Sequence, residues 1–235
     1  MTAPPVPPPM HLVLAESEFE LVPEAIRAHP SVRAPARRSG SRASRALLDS
    51  SLHHSALRAL PEGERRGRPD IVHTVLLLAQ DSILNQRGGL RVWIHTRNDE
   101  LLVLDPRTRI MRNYNRFVGL AEQVLREGKA PPTGDPLLLL ERGVTLKGAV
   151  ARTGARSAIV FDDAGDRMSM REVLAPHAAA REAVACVIGG FPSGAFRADL
   201  GFADRRVSIH DAPLSAWTVA SEAVVHWEQA IGVLG

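Results

Sequence analysis

The sequence has little of what a secreted, membrane-bound or disulfide-stabilised protein needs. Its 235 residues include a single cysteine, Cys186, which lies in the apolar run Ala183–Ile188 and can form no internal disulfide. A lone cysteine favours a reducing compartment. No stretch approaches the roughly 20 apolar residues of a membrane-spanning helix, and the proline-rich start lacks the basic and apolar regions of a secretory signal. We expect a soluble, cytoplasmic protein with no membrane contact.

Metal-binding and hydrolase motifs are also missing. His53, His54 and His73, with Asp49 near the first two, are the histidines that invite a metal interpretation. Adjacent histidines rarely chelate one ion, and the spacings CxxC and HExxH do not occur. The GxSxG turn of a serine nucleophile is absent as well. The sequence predicts no metal and argues against hydrolysis by a Ser-His-Asp triad.

Basic charge is concentrated in one part of the chain. Lysine is scarce, since 29 basic residues include only Lys129 and Lys147. A GC-rich genome explains that bias equally well, so it is no evidence of recognition. Residues 27–68, however, hold ten arginines against three carboxylates, a local net charge of +7 in a chain whose total is +3. Such a region fits a polyanionic partner, with nucleic acid the expected one.

Short apolar segments alternate with helical patterns along the chain. Seven segments have strand character: 11–15, 90–96, 101–104, 136–140, 157–161, 183–188 and 206–209. Four helices are expected from their end signals: Asp70–Gln86 after Pro69, Asn115 to about Glu127, a short helix from the capping box Ser169–Glu172, and Pro213–Ile231. The alternation predicts an α/β layer architecture.

One domain, residues 11–235, is predicted to carry this architecture. Residues 1–10 are rich in proline and are expected to form a disordered tail. A basic loop is expected at about residues 30–45, because Arg33–Arg45 contains Pro35, Gly40 and five arginines.

Two groups of arginines are the main candidates for binding. Arg109, Arg112 and Arg116 have the i, i+3, i+7 spacing of one helical face. Such a row is either a solvated charged face or a track for phosphates, and the basic region at 27–68 favours the track. Tyr114, between them, can stack on a base or pack into the core.

Arg68 and Asp70 flank Pro69 at a predicted helix start. The carboxylate can receive the guanidinium and fix its direction. Alternatively, Asp70 only complements the helix dipole while Arg68 points into solvent.

Glycines follow the apolar strand in Ile188–Gly194, where a ligand could approach the backbone closely. The glycine spacing is not the dinucleotide fingerprint, which argues against a nucleotide-dependent oxidoreductase. A second strand-to-helix junction lies at Ser208–Thr218. Taken alone, each segment is more often an ordinary loop than a site.

Several strings together resemble one family, the small-subunit ribosomal RNA pseudouridine N1-methyltransferases of the SPOUT, or α/β-knot, superfamily. The matching strings are Leu12–Glu18, Leu47–His54, Arg66–His73, Asp81–Asn85, His95–Asp99, Arg112–Leu120, Ile188–Pro192 and Pro213–Thr218. They cover nearly the whole chain from His11 onward, and the compact form without long insertions is similar to the archaeal branch.

The resemblance implies a mostly parallel sheet flanked by helices, a C-terminal trefoil knot, a homodimer and S-adenosylmethionine as cofactor. The implied cofactor residues are Phe161, Gly189, Gly194, Val207, Ser208, Ile209, His210, Asp211, Ala212, Leu214, Ala216 and Thr218. Ala195 stands where an acidic residue is expected. The implied RNA contacts are Arg68, Arg109, Arg112 and Arg116, with Asp70 orienting Arg68.

The implied activity is methylation of N1 of a pseudouridine in a small-subunit rRNA hairpin loop during ribosome biogenesis. No residue is an evident general base; Asp70 is the nearest candidate, with a structural role favoured. The alternative is an rRNA-binding ribosome-assembly factor whose methyl transfer is incidental. Both alternatives have rRNA as partner, and other ribosome-assembly proteins are compatible with either.

Overall fold

A mixed sheet crosses the centre of the protein, of which the computed structural model describes residues 8–38 and 42–233. The strands are β1 (Met10–Ser17), β2 (Leu90–Thr96), β3 (Glu100–Leu104), β4 (Lys129–Ala130), β5 (Leu138–Arg142), β6 (Ser157–Arg167), β7 (Val184–Gly189) and β8 (Arg205–Ser208). Their order is β4-β5-β3-β2-β1-β7-β6-β8. Strands β2, β1, β7, β6 and β8 are parallel, whereas β3, β4 and β5 pair antiparallel at one edge.

Helices cover both faces of this sheet. They are α1 (Pro30–Arg38), α2 (Ser50–Leu57), α3 (Pro69–Gln80), α4 (Ile83–Gln86), α5 (Tyr114–Glu127), α6 (Leu146–Arg152), α7 (Met170–Ala180) and α8 (Ala216–Ala230). On one face α8 packs against α3, α7 and β7, and on the other α6 packs against β1 and β2. Among the described residues, no helix has the length and apolarity to cross a membrane.

Strand β1 is central because it is apolar on both faces. Leu12 and Leu14 lie in the core cluster that includes α3 and α8, whereas Val13 and Ala15 pack with Leu146 of α6. A fully buried leucine side chain contributes roughly 1.5–3 kcal/mol relative to an exposed one. Two-sided burial is typical of parallel sheets covered by helices, so the predicted α/β fold with a mostly parallel sheet is confirmed.

The predicted elements differ from the observed ones mainly at their ends. The helix expected over 70–86 is two helices, because the Ser82 hydroxyl accepts a hydrogen bond from the N–H of Asn85 and starts α4. Helix α5 is capped by Asn113 instead of Asn115, through its side-chain oxygen and the N–H of Arg116. Helix α8 begins at Ala216, three residues after Pro213.

The basic loop expected at about 30–45 is largely helical. Helix α1 forms there because Val32 buries its side chain in a small cluster with Leu48 and Leu57 and Ala36 is also buried, which outweighs the proline at position 35. Ala43–Arg45 is a single 3₁₀ turn, and residues 39–41 lie outside the described residues.

The disordered tail expected at residues 1–10 does not extend over residues 8–10. Met10 already belongs to β1, and the carbonyl of the buried Pro8 accepts a hydrogen bond from the indole N–H of Trp227, 3.3 Å away. Residues 1–7 lie outside the described part of the chain.

Candidate functional site

A cleft of about 270 Å³ opens at the carboxyl ends of three neighbouring parallel strands. Phe161 and Asp162 of β6, Ile188 and Gly189 of β7, and Val207 of β8 form its floor, and the start of α8 forms one wall. Ligands of open α/β sheets bind outside the carboxyl ends of the strands. The volume is close to the lower end, about 300 Å³, of the range typical of small-molecule sites.

Ten of the twelve implied cofactor residues line this cleft. They are Phe161, Gly189, Gly194, Val207, Ser208, Ile209, His210, Ala212, Leu214 and Ala216. The other two do not: the exposed Asp211 pairs with Arg167 at 3.0 Å, and the Thr218 hydroxyl is 2.8 Å from that of Ser215. These ten residues come from three separate parts of the sequence: position 161, residues 189–194 and residues 207–216.

The lining also includes residues that the sequence analysis did not name individually. Asp163, Phe191, Phe196 and Trp217 face the cleft, and Phe191 and Trp217 lie in segments that were singled out. Phe191 lies inside the glycine segment that was singled out, so its position in the chain was an available signal. Asp163 carried no such signal, because its contribution depends on how far β6 extends.

The glycine turn after β7 passes very close to the end of β1. The N–H of Gly190 donates to the carbonyl of Ala15 at 2.7 Å, and its own carbonyl accepts from the N–H of Glu18 at 3.2 Å. A Cβ atom at position 190 would lie 2.8 Å from the Cα of Ser17, so only glycine fits. Gly194, with φ +87°, adopts a conformation that disfavours other residues.

Two carboxylates give one side of the cleft negative charge. Asp162 accepts hydrogen bonds from the N–H of Ala164 at 3.0 Å and from the Arg206 guanidinium. Burial alone would raise the pKa of Asp162, but these bonds outweigh burial and hold that pKa below its usual value. Asp163 is exposed at the opening. The cleft therefore has carboxylates on β6, although Ala195 stands where an acidic residue was expected.

Arg68 lies on the rim of the same cleft. Its Nε and Nη2 donate to the two carboxylate oxygens of Asp70 at 2.8 and 2.7 Å. Of the two alternatives, the structure therefore has the ion pair, with Pro69 in the first turn of α3 between the partners. The hydrogen bond to Asp70 is the main cause that raises the pKa of Arg68.

Arg109, Arg112 and Arg116 do not lie on one helical face, which corrects the prediction from their spacing. The segment 108–113 has no helix, because α5 begins only after the Asn113 cap. All three side chains are exposed, and Arg112, at 89% exposure, comes no closer to a carboxylate than 4.0 Å from Asp81. Their charges remain available to a partner on this edge of the protein.

An aromatic cluster of His73, Tyr114 and Phe117 holds the segment that carries these arginines. His73 Nε2 lies 2.8 Å from the carbonyl of Met111, and its ring stacks on Phe117 with centroids 4.4 Å apart. Tyr114 packs at 5.6 Å from His73 and donates its hydroxyl to Asp49 at 2.6 Å. Burial first, and then Asp49, raises the pKa of Tyr114. Tyr114 thus has a packing role.

The histidines considered for a metal have other partners. The Nδ1 atom of His53 accepts from the N–H of Asp49 at 3.0 Å. No group of three or more potential ligands that could hold a metal occurs in the ranges 8–38 and 42–233.

Comparison with known proteins identifies the family. The family model described as EMG1/NEP1 methyltransferase matches residues 12–228. The chain belongs to this family. The resemblance found in the sequence is therefore confirmed.

Curated EMG1/NEP1 relatives match over almost their full length. Two proteins named ribosomal RNA small subunit methyltransferase Nep1, from Thermococcus kodakarensis and Pyrobaculum neutrophilum, are 45% and 46% identical to this chain. The matches cover 95% and 96% of this chain and 100% of each relative. A crystal structure of Archaeoglobus fulgidus Nep1 bound to S-adenosylhomocysteine superposes with a TM-score of 0.83 at 36% identity, covering 95% of this chain and 99% of that chain.

Proposed function

We propose that this protein transfers a methyl group from S-adenosylmethionine to small-subunit ribosomal RNA during ribosome biogenesis. The observation that carries the proposal is the cleft at the ends of β6, β7 and β8, with Arg68 on its rim. Relatives of matching length are named ribosomal RNA small subunit methyltransferases, and a similar structure was solved with S-adenosylhomocysteine bound.

The residues of the cleft fit S-adenosylmethionine. Phe161, Ile188 and Val207 offer apolar surface to an adenine ring, and the glycine turn lets backbone groups approach closely. Asp162 and Asp163 supply negative charge near a ligand that carries a sulfonium and an ammonium. When bound, the cofactor supplies a methyl group that is already activated by positive charge.

We further propose that the acceptor is N1 of a pseudouridine in a hairpin loop. Pseudouridine is joined to ribose through carbon, which leaves an N1–H that can lose its proton. Loop bases can be splayed into a pocket at little unstacking cost. Arg68, Arg109, Arg112 and Arg116 would hold the flanking phosphates, while the cleft aligns the base, and alignment is the main contribution expected from the protein.

Asp70 is assigned a positioning role in this proposal. Both oxygens of its carboxylate accept hydrogen bonds from the Arg68 guanidinium. Its function would be to point Arg68 toward the RNA.

The proposal includes a homodimer, a C-terminal trefoil knot and a cytoplasmic location. In support of a dimer, α8 leaves Trp217 and Val225 exposed eight residues apart, on one helical face. In support of a knot, the chain crosses from β7 to the outer strand β8 and returns as α8 to pack against β7. Light scattering on the purified protein at several concentrations tests the dimer.

A methyl-transfer assay tests the proposed function directly. The full-length protein is incubated with labelled S-adenosylmethionine and a loop oligonucleotide that contains either pseudouridine or uridine. We expect label only on pseudouridine, at N1. Methylation of uridine instead would overturn the acceptor, and S-adenosylhomocysteine failing to bind in calorimetry would favour the assembly-factor alternative.

A further inference from the structure

Three glutamates alternate along the end of β1 and beyond it, and all three are buried. Glu16, Glu18 and Glu20 point to a row of arginines from other segments. Buried charges persist only when they are paired and hydrogen-bonded. Arg65, which pairs with Glu16 and Glu18, reaches the loop that lines the cleft. Glu20 pairs with Arg66 and, at 3.7 Å, with Arg97, which also pairs with Glu18.

Arg65 uses its whole guanidinium in this network. Its Nη2 donates to Glu16 and its Nε to Glu18, each at 2.9 Å. Its Nη1 donates to the carbonyl of Ala195 at 2.8 Å, and its Cζ lies 3.7 Å from the centre of the Phe191 ring. The residue therefore grips both ends of the turn 191–195 while lying outside the cleft lining.

Glu16 holds the continuation of the same loop. Its carboxylate accepts from the N–H of Arg197 at 2.9 Å and from the N–H of Ala198 at 2.7 Å. The loop between β7 and β8 is thereby fixed at 191, 195 and 197–198. Phe191, Gly194 and Phe196 of this loop face the cleft.

We propose that Arg65, held by Glu16 and Glu18, is a positioning residue that keeps the 190–198 loop in the shape that binds the cofactor. This inference rests on the proposed use of S-adenosylmethionine. Arg65 acts through Phe191 and the Ala195 carbonyl and contacts no reacting atom. Without Arg65, the loop adopts other conformations as well. The apparent cofactor affinity is then reduced in proportion to the fraction of molecules whose loop has the binding-competent conformation.

The neighbouring Arg66 provides a matched control. Its Nε and Nη2 donate to Glu20 at 2.8 and 2.7 Å, and its side chain is 11% exposed against 9% for Arg65. In the described part of the chain, its guanidinium hydrogen bonds go to Glu20 alone. Replacing either arginine removes a buried ion-pair partner, but only Arg65 touches the 190–198 loop.

The experiment compares the full-length wild type with the variants Arg65→Gln and Arg66→Gln. Calorimetry gives the Kd of S-adenosylhomocysteine, thermal unfolding gives Tm, and steady-state assays give KM for S-adenosylmethionine and kcat. We expect both variants to lower Tm, but only Arg65→Gln to raise the cofactor Kd and KM. If the competent shape falls to one tenth, the rise is about tenfold. For Arg65→Gln, kcat at saturating cofactor should change far less than KM.

A second pair guards against misfolding of the glutamine variants. Arg65→Lys and Arg66→Lys keep a positive charge beside the glutamates but lack the planar fork that reaches several partners. Again only the change at 65 should weaken cofactor binding. Provided that the wild type binds the cofactor, two results would overturn the inference: equal weakening of cofactor binding by the changes at 65 and 66, or no weakening by the change at 65. Absence of cofactor binding by the wild type would instead overturn the proposed function.

Discussion

Arg68 and Asp70 form a bidentate ion pair across a proline, with two N–O distances below 3 Å. The proline removes backbone freedom between the partners, because its ring fixes φ and suits the first turn of a helix. The carboxylate also lies at the positive end of α3. The direction of the guanidinium at the cleft rim is thus set by the backbone as well as by charge.

Asp70→Asn should weaken RNA binding without changing cofactor affinity. Removing a negative charge beside RNA would by itself strengthen binding, so a loss can only come from a misdirected Arg68. A charge-assisted hydrogen bond is worth roughly 1.5–3 kcal/mol, and we expect an RNA Kd about tenfold higher. Filter binding measures it, with calorimetry of S-adenosylhomocysteine alongside.

Asp105→Asn is the control for this change. Asp105 and Arg107 form a pair of the same spacing and geometry, with N–O distances of 2.9 and 2.8 Å. RNA binding should change less in this variant, because neither Asp105 nor Arg107 lines the cleft. Tighter RNA binding by Asp70→Asn would contradict the orienting role.

Arg112→Ala should reduce both RNA affinity and its dependence on salt. The guanidinium is highly exposed and its ion pair with Asp81 is long, at 4.0 Å, so it can turn to contact phosphate. Losing one phosphate contact lowers the slope of log K against log salt by about 0.7–0.9. Titrations at several salt concentrations measure the slope.

Arg156→Ala serves as the control for Arg112→Ala. Arg156 is exposed and pairs with Glu182. It precedes the first residue of β6, at the end of that strand opposite the cleft. Its slope should equal that of the wild type. Equal slopes for all three proteins would remove Arg112 from the RNA contacts.

The fold could largely be predicted from local patterns. The segments expected at 90–96 and 183–188 correspond to β2 and β7 within one residue, because buried strands of a parallel sheet have continuous or alternating apolar sequences. Strand β4 was missed, since two residues, Lys129–Ala130, carry no periodicity. Its pairing depends on β5 instead.

The arginine row shows where spacing misleads. The i, i+3, i+7 spacing of Arg109, Arg112 and Arg116 fits a helix, but helix α5 begins only at Tyr114, where Asn113 caps it. The residue at which a helix begins is set by the capping hydrogen bond as well as by the periodicity of the sequence. The position of this segment also depends on the contact of His73 with the carbonyl of Met111, between residues 38 positions apart, which no local pattern contains.

The segments Ile188–Gly194 and Ser208–Thr218 were candidates from the sequence, but only the family resemblance assigned them to one cleft. Its walls come from β6, β7 and the start of α8, and their meeting depends on the sheet order. The network of Arg65 and Glu16 was not predicted at all, since alternating glutamates at the end of a strand usually indicate an exposed face. Here β1 is covered on both sides, which buries them.

Gly190→Ala should disrupt the site. The added Cβ would meet the Ser17 backbone at 2.8 Å, and backbone cannot move aside as a flexible side chain can. The turn must shift away from β1, so we expect a lower Tm and weaker binding of S-adenosylhomocysteine. Thermal unfolding and calorimetry measure the two effects.

Gly119→Ala is the matched control for Gly190→Ala. Gly119 lies in the exposed middle of α5, and its Cβ would meet nothing within 4 Å. Alanine there should stabilise the protein by about 0.5–1 kcal/mol through helix propensity. A Gly190→Ala protein that binds the cofactor as well as Gly119→Ala would mean that the turn tolerates a shift.

Acid should destabilise the protein partly through His11. The Nδ1 atom of this buried histidine accepts a hydrogen bond from the indole N–H of Trp93 at 3.1 Å, which requires the neutral ring. Burial, and then the charge of Arg91, lowers the pKa of His11 to about 4 from 6.5. The unfolded chain therefore binds a proton more readily than the folded one, and stability falls as pH decreases from 6.5 toward 4. His53 and His95, whose pKa values burial also lowers, act in the same direction.

Urea unfolding of the wild type and His11→Gln at pH 7.5, 6, 5 and 4 isolates the contribution of His11. The glutamine side chain can still accept from Trp93 but does not titrate, so the variant should lose less stability between pH 6.5 and 4. Parallel losses in the two proteins would mean that His11 is protonated equally in the folded and unfolded states.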